Sequence, residues 1–96
     1  MVLDKNILTE AICFYGRDKQ IDMAVEEMAE LIKAICKYKR YHTIESMENI
    51  VEECADVIIT LAQIRLMFGD ENIDKVITEK MCRLHERIKE DEDRTR

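Results

Sequence analysis

Residues 19–41 read KQIDMAVEEMAELIKAICKYKRY, and the spacing of apolar residues in this stretch decides the fold. With successive residues about 100° apart, Leu31, Ala24, Ile35, Met28, Ile21, Ile32, Val25, Cys36 and Ala29 fall on one arc. Asp22, Glu26, Lys33, Lys37 and Arg40 fall on the opposite side. This predicts a long amphipathic helix from about Lys19 to Tyr41, with Asp18 as its N-cap. Glu27 breaks the pattern, because it lies on the inward side among Ala34, Tyr38 and Leu31. Glu30 lies at the border of that side, and a spacing of i, i+3 lets both carboxylates reach one point.

Downstream, residues 44–68 (IESMENIVEECADVIITLAQIRLMF) predict a second long helix, capped by Thr43 and ended by Gly69. Its apolar residues cover about 220° of the circumference, so it needs neighbours on most sides. The remaining stripe carries Glu52, Gln63, Asp56, Asn49, Thr60 and Glu53. Upstream, Ile7, Leu8, Ala11, Ile12 and Tyr15 mark a short helix between Asp4 and Gly16. A fourth helix starts at Asp70 or Asn72 and carries Ile73, Val76, Ile77, Met81, Leu84 and Ile88, and residues 89–96 read as a frayed, solvated tail. The chain is therefore expected to be one all-α domain over residues 1–96, a four-helix bundle.

Composition agrees. Hydrophobic residues make up 47% and charged residues 38%, which excludes disorder, and with no proline and two glycines the turn signals are too sparse for a sandwich or barrel. A chain of 96 residues cannot bury much apolar surface alone. The wide apolar arc of the third helix thus predicts completion of the bundle by a second copy, as a homodimer. The net charge of −6 argues against nucleic acid as a partner. There is no apolar run of about 18 residues and no signal-peptide pattern, so the reading is cytoplasmic, with no membrane partner. Cys13, Cys36, Cys54 and Cys82 have neither CxxC nor histidine spacing for zinc.

The short break at His42 and Thr43 favours an antiparallel hairpin of the two long helices, which turns the pairs Glu27/Glu30 and Glu53/Asp56 toward each other. Four such carboxylates repel one another unless a cation sits among them. Oxygen ligands suit Mg²⁺, with Mn²⁺ as the alternative. The competing reading is that both acidic pairs are solvated faces. On the fourth helix Lys80, with Arg83 and Arg87 beside it, lies between the two sides of the apolar arc, where it either meets phosphate or lays its stem along apolar surface. Asp70, Asn72 and Asp74 imitate an EF-hand loop, but Lys75 and Met81 occupy its glycine and bidentate glutamate positions. Neither histidine follows a glutamate at the Glu-x-x-His spacing of di-iron bundles.

The segment from Gln20 to Leu31, with 22 residues between Glu30 and the following Glu53-Cys54-Ala55-Asp56-Val57, resembles the ExxE…ExxD signature of the MazG-like all-α nucleoside triphosphate pyrophosphohydrolases. The likeness extends in element order over roughly residues 16 to 88. It implies Mg²⁺-dependent hydrolysis of a nucleoside triphosphate between the α and β phosphates, releasing the monophosphate and pyrophosphate, by a homodimer or homotetramer. Glu27, Glu30, Glu53 and Asp56 would be the catalytic metal ligands. Lys80, Arg83 and Arg87 would hold phosphate, with Asn49 and Thr60 as further substrate contacts. The related phosphoribosyl-ATP pyrophosphohydrolases are an alternative, although their Ser-Tyr-Thr stretch is not seen near the N-terminus. A helical oligomerisation or adaptor module without catalysis is the other.

Overall fold

The computed structural model describes residues 3–95, which form four helices in the order α1 (Lys5–Tyr15), α2 (Arg17–Tyr41), α3 (Ile44–Phe68) and α4 (Asp70–Thr95). The Asp4 carboxylate accepts from the backbone N–H groups of Asn6 and Ile7, at 2.8 and 3.3 Å, and caps α1 as expected. α2 starts two residues earlier than the sequence predicts. Gly16 ends α1 and opens α2 with φ +95, so one residue serves both helices and Asp18 becomes a first-turn acid near the helix N-terminus. A Cβ at Gly16 would meet nothing within 4 Å, so glycine is required there by its backbone angle rather than by crowding.

The α2/α3 connection is two residues long. His42 takes the left-handed conformation (φ 49) and donates its N–H to the Tyr38 carbonyl at 2.8 Å. Thr43 then caps α3 through a reciprocal capping box with Ser46. This tight turn folds α2 and α3 into the expected antiparallel hairpin, by far the most extensive packing in the chain. On α2 the shielded side runs through Gln20, Ala24, Glu27, Leu31, Ala34 and Tyr38, alternating steps of four and three. On α3 it runs through Ser46, Glu53, Val57, Thr60 and Gln63. Alternating steps of four and three are the seam geometry of coiled-coil-like pairs. Here the seam is unusually polar.

The apolar arcs therefore face elsewhere. Leu8, Ala24, Ala34 and Val57 are the buried apolar residues, whereas Val25, Ile32 and Ile35 on α2 and Val51, Ile58 and Leu61 on α3 remain exposed. α4 packs against α3 near the joint at Gly69 and meets α1 through one ion pair there, and none of its described residues is buried. The joint is tied by Arg65, which pairs with Asp70 at 2.7 Å and with Asp74, by Lys5 to Asp70 at 3.5 Å, and by Arg17, which donates to the Met67 carbonyl at 3.2 Å. Beyond it α4 projects, giving a radius of gyration of 17.1 Å against about 12.5 Å for a compact chain of this length. The four helices are thus present, but one chain does not close them into a bundle.

α4 also continues as helix to Thr95, past the point where the sequence predicts fraying, although its side chains there are solvated. Met1, Val2 and Arg96, the last residue of that tail, lie outside the described residues. Among the described residues no helix is long and apolar enough to cross a membrane. Cys13, Cys36 and Cys82 are exposed and Cys54 is half-buried, all as free thiols.

Candidate metal centre

Midway along the hairpin, α2 contributes Glu27 and α3 contributes Glu53 and Asp56. One carboxylate oxygen from each lies within 4.8 Å of the other two. The seam spacing produces this meeting. Glu27 occupies a step between Ala24, which is fully buried in the seam, and Leu31. Glu53 and Asp56 are i, i+3 on the facing side. Glu30, the fourth residue of the acidic pattern, is exposed and stands at the rim outside this triad.

Electrostatics follow from that placement. Removal from water holds the Glu27 carboxyl above the usual glutamate range, and Asp56, Glu53, Glu30 and Glu26 push it the same way. Glu53 is raised for the same reasons, with desolvation first and then Asp56, Glu30 and Glu52. No lysine or arginine forms an ion pair with any of these carboxylates among the described residues. An all-oxygen donor set with surplus negative charge fits a hard divalent cation and does not fit a thiolate- or imidazole-seeking metal.

Shallow clefts lie on both sides of the triad along the hairpin. Toward the α1 end, Glu27 and Asp56 border a cleft of about 190 Å³ that also involves Gln20, Met23, Ile59 and Gln63. Thr60, a predicted substrate contact, lines this cleft too, but its hydroxyl already donates to the Val57 carbonyl at 3.0 Å. Toward the turn, Asn49 and Glu52 line a polar cleft of about 320 Å³ together with Lys37. Asn49, the other predicted substrate contact, is half-buried there and lies one helical turn before Glu53.

Lys80, Arg83 and Arg87 are not brought to the carboxylates within one chain. All three are exposed on α4, which makes no contact with α2, because the Arg65 pairings and the bend at Gly69 aim α4 away from the hairpin. Lys37 lines the cleft nearer the turn together with Glu45, Glu48 and Glu52, a predominantly acidic lining that includes none of the triad residues. The sequence reading missed Gln20 and Gln63. Both stand at seam steps, which become visible only once the two helices are packed.

The chain matches no protein-family model, and no curated protein or solved structure is significantly similar to it.

Proposed function

We propose that this protein is an Mg²⁺-dependent nucleoside triphosphate pyrophosphohydrolase of the MazG-like type, working as a homo-oligomer. The observation that carries the reading is the triad of Glu27, Glu53 and Asp56, converging from two helices with no basic partner. An arrangement so repulsive in the absence of a cation is readily explained if a cation belongs there.

In this reading Glu27, Glu53 and Asp56 hold Mg²⁺, and Glu30 at the rim completes the acidic surround. The metal supplies neutralisation of phosphate oxygens and a water of lowered pKa. One water is consumed, the α–β phosphoanhydride bond breaks, and nucleoside monophosphate and pyrophosphate leave. Lys80, Arg83 and Arg87 keep a phosphate-binding role only if they come from another copy, since α4 of the same chain does not approach α2.

The open apolar faces of α2, α3 and α4 favour such a second copy. Ile32 is 63% exposed and Val51 71% exposed, on helices whose own packing is almost entirely polar or small. Contiguous apolar surface of this kind marks an interface. The reading is tested by following pyrophosphate release from a panel of ribo- and deoxynucleoside triphosphates with and without Mg²⁺. If the chain is instead an oligomerisation module, Mg²⁺ leaves its thermal stability unchanged and no triphosphate is cleaved.

A further inference from the structure

Gln20 and Gln63 are 8% and 5% exposed, buried as deeply as the apolar core, yet both line the same cleft at the hairpin seam. Neither side-chain amide makes a hydrogen bond to another described residue. No fully enclosed side-chain nitrogen or oxygen lacks a partner. The polar ends of both amides must therefore open onto the 190 Å³ cleft they line. Both amides therefore present donors and acceptors that no protein group uses on one small cleft, where a bound group with complementary edges can engage both.

The cleft fixes the chemistry of that occupant. It is neutral on the glutamine side, with donors and acceptors side by side, and it is walled by Met23 and Ile59, 37% and 43% exposed. Glu27 and Asp56 of the metal centre line it as well. The volume lies below the roughly 300 Å³ at which pockets for whole drug-sized ligands begin. A flat, neutral heterocycle with adjacent donor and acceptor groups fits these constraints: its edge meets the two amides and its face meets the methionine and isoleucine.

We propose that Gln20 and Gln63 read the nucleobase of the substrate, with Met23 and Ile59 against its ring, so that this cleft sets base specificity. This rests on the pyrophosphohydrolase reading for the position of the phosphates at the adjoining triad, but the base contact itself requires neither metal nor turnover.

The test is saturation-transfer NMR on the full-length, metal-free protein with uridine, thymidine, cytidine, adenosine and guanosine in turn. At least one nucleoside is expected to receive transfer at its base protons. Gln63→Met and Gln20→Met keep side-chain length while removing the amide, and each should cut that transfer at least fivefold. In hydrolysis assays the same variants should raise KM for the preferred triphosphate roughly tenfold, the loss falling on KM rather than on kcat. Gln63→Asn, which keeps an amide but withdraws it from the cleft, should behave like Gln63→Met. Triphosphate cleavage without nucleoside transfer, or transfer undiminished in both methionine variants, overturns base reading while leaving the pyrophosphohydrolase assignment intact. Nucleoside transfer that depends on both glutamines, with no triphosphate cleaved, upholds the cleft and overturns the assignment. Absence of both overturns both.

Discussion

A carboxylate held between two packed helices is most costly when it is ionised and unpaired, and Glu27 and Glu53 are both so placed. Their carboxyls are raised by desolvation first and by neighbouring acids second. A carboxyl whose pKa is higher folded than unfolded favours the fold most when protonated. That contribution is whole below the usual glutamate range and is lost as pH rises through the raised values. The metal-free protein is therefore expected to lose thermal stability on going from mildly acidic to neutral pH. Glu27→Gln should flatten that loss and raise the melting temperature at neutral pH, as read by thermal unfolding in chelator across pH. Asp70 runs the other way. Hydrogen bonding to Arg65 holds its carboxyl below the usual range, so its contribution is present at neutral pH and lost as pH falls through the lowered value. Comparing Glu27→Gln with Asp70→Asn separates the two. Protons also compete with a bound cation, so Mg²⁺ affinity should fall as pH drops through the raised Glu27 and Glu53 values.

At the scale of the element, capping chemistry fixes where helices begin and end. Thr43→Ala removes one half of the capping box and should cost about 1 kcal/mol in chemical denaturation. Asp4 and Thr43 were legible as caps because each has an acceptor side chain immediately before an apolar periodicity. Asp18 has the same chemistry but does not cap, because Gly16 at φ +95 turns the chain directly from α1 into α2 and leaves no extended residue between them. The hairpin and the convergence of Glu27 with Glu53 and Asp56 were legible too, since a 3.6-residue repeat and a two-residue turn together dictate which side chains face each other. The direction of α4 was not. It depends on the φ of +122 at Gly69 and on Arg65 reaching Asp70 and Asp74, and no periodicity encodes either feature. Nor were Gln20 and Gln63 legible as site residues, because a glutamine in a polar stripe looks like solvent-facing surface until the opposing helix is in place.

At the scale of the whole molecule, one chain leaves most of its large apolar side chains open to solvent, on the outer faces of α2 and α3 and along α4. Light scattering at micromolar concentration is expected to return a multiple of the 11.4 kDa chain mass, and Leu61→Glu, which places a charge on the open face of α3, should shift the protein toward monomer. A wild-type monomer would remove the second copy from the account and, with it, any role at the site for Lys80, Arg83 and Arg87. The central claim is that the acidic seam between α2 and α3 holds a catalytic divalent cation. The most direct test is pyrophosphate release from nucleoside triphosphates with added Mg²⁺, for wild type and for Asp56→Asn, with melting temperatures recorded on the same samples. The account predicts that Mg²⁺ raises the melting temperature of wild type and supports its turnover, and that Asp56→Asn, folded and at least as stable without metal, loses both responses. Full Mg²⁺-dependent turnover in Asp56→Asn, or a wild type indifferent to Mg²⁺ in both measurements, would contradict it.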